Sequence, residues 1–295
     1  MNLWEVSVLA DGEAIEAVSE VMGRFAPGGV AIETTLLPTD SDREYAPPQT
    51  RVKVYLPVEE GDERLQELQD ALWRLRLILP MPDPEIREMT EADWATAWRQ
   101  DYHTLRVGQR VVIVPAWEQY DAQPDDLVVA MEPGMAFGTG LHPTTRLCVA
   151  ALEDLVQPGQ RVLDVGTGSA ILAIAATRLG AAEVLGTEID PVAVVAAQEN
   201  VARNGVADSV RVIEAASPAN LGQWDIVVAN ILPHILLDMA GALAGCLAPN
   251  GVLILSGILD THVVEVELGF AARGLTMTEQ RQEKDWTALT FRFPS

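Results

Sequence analysis

The run RVLDVGTGSA at residues 161–170 carries an apolar, strand-like stretch straight into a glycine turn and then a helical pattern. In that context Gly166 and Gly168 have chemical meaning. Both accept positive φ and let backbone amides approach a ligand, and the start of the following helix favours negative charge. The next strand-like run, EVLGTEID, ends on Glu188, 22 residues beyond Gly166. That is close to the roughly 20-residue offset at which an acid meets a ribose diol. Asp190-Pro191 reads differently, as an N-cap followed by proline at the first helical position. The ribose role therefore falls to Glu188 and the cap to Asp190. A dinucleotide fingerprint needs glycine three residues after Gly168, where Ile171 stands, and this disfavours NAD and FAD. No GxxxxGK run followed by Ser or Thr exists, so an ATP or GTP phosphate loop is absent. The remaining common ligand is S-adenosylmethionine, whose turn follows an acid, here Asp164, and reads Gly-x-Gly-x-Gly; Ala170 replaces the third glycine.

Two further segments fall where the chemistry belongs. DIVVANILP closes a strand on Asn230, placed to accept an N–H from an incoming amine. EPGMAFGTGLHPTTR holds Gly134, Gly138 and Gly140 within seven residues, a composition that suits a lid. Thr144 and Thr145 follow in the first turn of a helix, where hydroxyls and free amides can hold a methionine carboxylate. His142 reads as a cap. His103, His234 and His262 show no metal-ligand spacing with each other or with the cysteines, so no metal is expected.

From Leu127 onward strands and helices alternate: VVAM, a helix from about 144 to 156, RVLDVG, a helix 170–179, EVLGTEID, and a helix 191–204. VRVIEA, DIVVAN, a helix 234–247, VLILSG, a helix 262–272 and two closing strands complete the series. Near-continuous apolar strands call for a parallel sheet covered on both faces, with ligands beyond the carboxyl ends of its strands. The first 85 residues read as strand, helix, strand, strand, helix, with EIREM at 85–89 as a fourth strand. This is a small α+β unit of ferredoxin-like type. The expected division is therefore 1–85, a linker helix and strand over 86–125 that includes Trp94 and Trp98, and an α/β domain over 126–295.

The chain has 295 residues, 48% hydrophobic and 21% charged, as soluble globular chains do. No apolar run approaches the roughly 18–20 residues that span a bilayer. The start, MNLWEVSVLADGE, lacks the basic end of a signal peptide, and Cys148 and Cys246 alone make no disulfide framework. A cytoplasmic protein is expected. The net charge of −23 disfavours direct nucleic-acid binding and attracts basic partners. Residues 1–130 carry the larger share, with 25 acidic and 11 basic side chains.

The runs PGMAFGTGLHPTTR, DVGTGSAILAIAA, GTEIDPVAV, VVANIL and LSGIL together resemble the bacterial ribosomal protein L11 methyltransferases. DWATAWRQ followed by VGQRVVIVPAWE is similar to that family's interdomain region. The resemblance implies a Rossmann-like seven-stranded methyltransferase domain and an N-terminal domain that recognises the basic ribosomal protein at the base of the stalk. It also implies transfer of methyl groups from S-adenosylmethionine to lysine side chains and an N-terminal α-amine. By motif, Phe137, Thr139, Thr144 and Thr145 line the donor pocket, Asp164, Gly166 and Gly168 form the turn, Glu188 holds the ribose, and Asn230 meets the methyl group and the acceptor amine. Ala170 and Glu188, in place of the family's usual glycine and aspartate, are the departures. Two other readings stand beside this one: a methyltransferase of the same fold acting on another protein or a small amine, and a catalytically silent ribosome-associated binding protein.

Overall fold

The computed structural model describes residues 2–10, 13–26, 30–35, 49–58, 62–90, 103–132 and 142–294. The chain divides into two compact units, Met1–Tyr102 and His103–Ser295. The first contains β1 (Asn2–Ala10), α1 (Glu13–Gly23), β2 (Ala31–Thr35), β3 (Gln49–Pro57), α2 (Asp62–Arg76) and β4 (Glu85–Thr90). Its sheet runs β2-β3-β1-β4 with every pair antiparallel, the ferredoxin-like order. Alternation in the strands puts Val6 and Val8 of β1 beside Val52, Val54 and Leu56 of β3. This face is covered by Val18 and Met22 of α1 and by Leu68 and Leu72 of α2.

Two expectations shift here. The leucine spacing at 65, 68, 72 and 75 predicts a helix over about 62–78, but α2 stops at Arg76, and Leu77 and Ile78 lie exposed in a turn whose amides bond back to Arg74 and Leu75. Strand β4 is the fourth strand expected at 85–89, and its pairing with β1 completes the first sheet, so that sheet extends past the boundary at 85 into the stretch expected as linker. The linker helix with Trp94 and Trp98 lies outside the described residues.

The second unit opens with a small sheet of β5 (Leu105–Arg106), β6 (Val111–Pro115) and β7 (Leu127–Met131). Next come α3 (Pro143–Leu155), β8 (Arg161–Val165), α4 (Ile171–Arg178), β9 (Glu183–Glu188), α5 (Pro191–Arg203), β10 (Val210–Glu214) and β11 (Trp224–Asn230). The chain ends with α6 (Pro233–Asp238), α7 (Ala240–Gly245), β12 (Leu247–Leu259), α8 (Val263–Ala271), β13 (Thr276–Glu283) and β14 (Trp286–Arg292). The large sheet has the order β10-β9-β8-β11-β12-β14-β13. Strands β8 to β12 are mutually parallel, and β14 runs antiparallel between β12 and the outer strand β13. The pairing of β13 shifts register between Met277 and Glu279.

One face of this sheet buries Leu163, Val165, Val227, Ala229, Leu253 and Leu255 against Leu236, Leu243, Val266 and Phe270 from α6, α7 and α8. Helices α3 and α4 contribute Leu152 and Ile174, both fully buried. Each such side chain contributes about 1.5–3 kcal/mol relative to exposure. This double burial explains why the strands read as continuous apolar runs.

Two sequence expectations are corrected. VVAM, placed in the large sheet by its apolar run, pairs parallel with β6 in the small one. The single helix expected over 234–247 breaks at Met239 (φ −90°, ψ 0°), and β12 already starts at Leu247. The small sheet is held from two sides. Glu153 of α3 accepts the amides of Gln109, Arg110 and Val111 at 2.6, 2.8 and 2.7 Å, and Asn204, just after α5, bonds both the N–H and the carbonyl of Ala130. No helix among the described residues is long and apolar enough to cross a membrane.

Candidate functional site

After β8 the chain steps to β9 on one side and later returns to β11 on the other. The carboxyl ends of these strands therefore form a topological switch point, where open α/β sheets bind ligands. The glycine turn sits there. Gly166 (φ 71°) and Gly168 (φ 52°) take the left-handed conformation, and a Cβ on Gly166 would lie 2.5 Å from Ile231 Cγ2. The amides of Gly166 and Thr167 bond to the Thr187 carbonyl at 2.9 Å each, which ties the turn to the end of β9. Ala170, where the sequence shows one extra methyl, also sits at φ 66°. A residue with a Cβ there stores about 1–2 kcal/mol of backbone strain.

Glu188 is built into this turn. Its Oε2 accepts the Gly168 amide at 3.0 Å, and Oε1 accepts the amides of Ile189 and Asp190 at 2.8 and 3.1 Å. The glutamate thus reaches from β9 across to the turn, one methylene further than an aspartate. Asp190 caps α5 through a 2.8 Å bond from the Val192 amide, with Pro191 at the first helical position.

Asp164 lies under the turn. Its Oδ2 accepts the Thr167 hydroxyl at 2.6 Å, while Oδ1 is buried with no hydrogen-bond partner. Burial pushes its carboxyl up to about 7; the Thr167 hydroxyl and the nearby Ala173 amide oppose this, and the Glu188 charge adds to it. Cys148 of α3 is fully buried close enough to Asp164 to feel its charge, and desolvation first, then that charge, pushes the thiol up to about 12. The thiol is inert at neutral pH.

At the start of α3, His142 is the N-cap, Pro143 follows, and Thr144 and Thr145 are buried. The free amides expected here are occupied. The Thr144 amide bonds to His142 Nδ1 at 3.4 Å, and those of Thr145 and Arg146 bond to the His142 carbonyl at 3.1 and 3.3 Å. Thr145 Oγ1 has no partner among the described residues. Arg146 is paired bidentately with Glu283 of β13, and the His142 ring meets Trp286 of β14 edge-on with centroids 4.6 Å apart.

Asn230 ends β11 directly beside β8, whose Val165 pairs with Ala229. On its other side Asn230 pairs with Ser256 of β12. The backbone after it is set by Gly257 (φ 83°), since a Cβ there would lie 2.4 Å from the Ile231 carbonyl oxygen. Strand pairing and the bonds of Glu188 thus bring Asp164, Gly166, Gly168, Glu188 and Asn230 to one end of the sheet, and Cys148 places α3 over Asp164. Phe137 and Thr139, with the glycines of the expected lid, lie outside the described residues.

Sequence reasoning missed Asn200. Its side chain donates to the Ser169 carbonyl at 3.1 Å and accepts the Glu132 amide at 3.2 Å, so one residue of α5 holds both the glycine turn and the end of β7. The signal was present: Asn200 stands inside a helix, where asparagine is unfavourable unless it bonds elsewhere.

The buried acid with one unpaired oxygen, the unpaired Thr145 hydroxyl and the close-approach glycines fit a zwitterionic donor with a nucleoside, as S-adenosylmethionine is. Among the described residues no group of three His, Cys, Asp or Glu side chains is arranged to hold a metal ion.

A family model described as ribosomal protein L11 methyltransferase (PrmA) matches residues 2–294. The chain is 44% identical to the ribosomal protein L11 methyltransferase of Chloroflexus aurantiacus, over 98% of both chains. It is 41% identical to that of Pelotomaculum thermopropionicum, over 99% of both. Among solved structures, the ribosomal protein L11 methylase from Lactobacillus delbrueckii subsp. bulgaricus superposes with a TM-score of 0.62 at 35% identity, covering 66% of this chain and 100% of that one.

Proposed function

The chain belongs to the ribosomal protein L11 methyltransferase family, and from that premise we propose that it methylates lysine side chains and the N-terminal α-amine of ribosomal protein L11, using S-adenosylmethionine. The observation that carries this reading is the Glu188 carboxylate bonded to the Gly168 amide at the switch point, one strand away from Asn230. S-adenosylmethionine, when bound, supplies a methyl group already activated on a sulfonium. The chain has to hold the donor, orient the acceptor nitrogen and exclude water.

In this reading Gly166 and Gly168 leave room for the donor beside the backbone, and Glu188 takes the ribose hydroxyls on lone pairs its three amides leave open. Asp164 offers its unpaired oxygen to an ammonium. Phe137, Thr139, Thr144 and Thr145 complete the donor pocket. Asn230 accepts an N–H of the acceptor amine and fixes its approach, a matter of proximity and orientation. The amine has to be neutral, and with a reference pKa of ~10.4 for lysine, desolvation at the site favours the deprotonated form.

Residues 1–85 serve as the recognition module for the basic substrate at the stalk base, without direct nucleic-acid contact, and the protein works in the cytoplasm. Mass spectrometry of L11, free and in assembled ribosomes, after incubation with the protein and isotope-labelled donor tests the reading. Labelled methyl groups on L11 amines are expected. Asn230→Ala should lower turnover far more than donor affinity, and equal losses in both would reduce Asn230 to a structural role.

A further inference from the structure

The first turn of α3 contains a proton whose position is fixed by its neighbours. The Thr144 amide can only donate, so His142 Nδ1, which accepts it, carries no proton. The same Nδ1 lies 2.8 Å from Thr144 Oγ1, and with no proton on the nitrogen the hydroxyl has to be the donor in that contact. The ring is held in this neutral tautomer. It is largely buried, and among the described residues the charges facing it are Arg146 on its own helix and Glu283 from β13, which pair with each other. Desolvation first, and then Arg146, push the imidazole down to about 4. Trp286 fixes the ring from β14.

With its proton committed to the ring, the Thr144 oxygen has only lone pairs to offer. A carboxylate facing it would set lone pair against lone pair. Such an oxygen is ill suited to the role expected from the sequence, in which the Thr144 hydroxyl holds the methionine carboxylate; of the two threonines in this turn, it is Thr145 whose hydroxyl has no partner among the described residues.

We propose that His142 is a positioning residue that makes the Thr144 oxygen an obligate acceptor for an N–H group in the methyl-transfer site. The N–H comes from the ammonium of the donor's methionine or from the acceptor amine. The inference rests on the functional reading above for the identity of those amines, but the proton arrangement rests on the fold alone.

Long-range nitrogen NMR of the protein without ligand reads the tautomer. A neutral ring protonated at Nε2 from pH 6 to 9 is expected, and a ring protonated at Nδ1 overturns the proposal whether or not any variant folds. Thr144→Val removes the oxygen and keeps the shape, and Thr144→Ser restores the oxygen. If the donor's ammonium is the partner, calorimetry with S-adenosylhomocysteine should show the valine variant weakened roughly 10- to 100-fold, with most of the loss recovered by serine. If the acceptor amine is the partner, that affinity stays unchanged and turnover on L11 at saturating donor falls by a similar factor.

His142→Phe should show the same functional loss, and the double variant with Thr144→Val should be no worse than either single one, because both changes remove one shared arrangement. A merely structural histidine would instead lower the thermal midpoint and leave the double variant with added losses. Wild-type affinity and turnover in Thr144→Val overturn the proposal. Failure of the wild-type protein to methylate L11 would count against the functional reading, while the tautomer and the S-adenosylhomocysteine affinities would still decide the role of His142.

Discussion

Glu188 receives three backbone amides on its two oxygens, so it orders the glycine turn before any ligand arrives. Glu188→Gln keeps the shape but sets an NH2 group against an amide and removes charge-assisted bonds worth roughly 1.5–3 kcal/mol. Donor affinity should fall by about one to two decades in calorimetry. Asp190→Asn, which retains a capping oxygen, should leave it unchanged; the opposite ranking would exchange the two roles. Asp164 gives a pH dependence. Burial pushes its carboxyl in the folded protein up to about 7 from the ordinary 3.8, so between these values the folded state holds a proton that the unfolded chain has released. Stability from this group is therefore full below about pH 4 and is lost as pH rises through 7. In thermal unfolding without donor, Asp164→Asn should gain on the wild type from pH 5 to about pH 7 and level off above it. A constant difference between the two would place the acid in a better-solvated setting.

At the scale of elements, the site depends on how one loop passes over another. Gly257 lets β12 run beneath Ile231, and its φ of 83° together with the 2.4 Å approach leaves no room for a side chain. Gly257→Ala should cost about 1–3 kcal/mol through strain and displacement. Because the displaced backbone follows Asn230, turnover should drop more than donor affinity. Chemical denaturation and steady-state kinetics read the two effects, and a stable, fully active variant would show that the loop adapts.

The glycine turn, Glu188, Asp190 and Asn230 were legible in the sequence, because each belongs to a strand end whose local pattern is complete within ten residues. What was not legible depends on distant partners. The pairing of β7 with β6 depends on which strand reaches its hydrogen bonds, not on its apolar run. The break at Met239 leaves the apolar spacing of 234–247 almost unchanged. His142 was legible as a cap, but the expectation of open amides in α3 did not follow the cap through to the amides it occupies: its ring takes that of Thr144 and its carbonyl those of Thr145 and Arg146.

For the whole molecule, charge is the long-range property. The net charge of −23 sets up a field that attracts a basic substrate over the ~8–10 Å screening length of ordinary ionic strength. Raising salt should slow methylation of L11 and leave donor affinity nearly unchanged. Residues 103–295 form a compact unit with its own apolar core, and every donor motif lies within it. That fragment should bind S-adenosylhomocysteine like the full chain and methylate intact L11 poorly. Full activity of the fragment would remove the recognition role from the N-terminal unit.

The outer strand β13 bears on a hazard that has nothing to do with catalysis. A seven-stranded sheet that ends in an open strand offers unpaired amides and carbonyls to any other extended chain, the starting point for aggregation. Here the last strand is TMTEQRQE, its ladder is interrupted between Met277 and Glu279, and Arg281 is drawn to Asp154 and Glu279. A strand adding to this border would meet a local bend and would have to desolvate charges already engaged. The polar sequence that looks like an unremarkable tail therefore guards the sheet against growing by one strand too many.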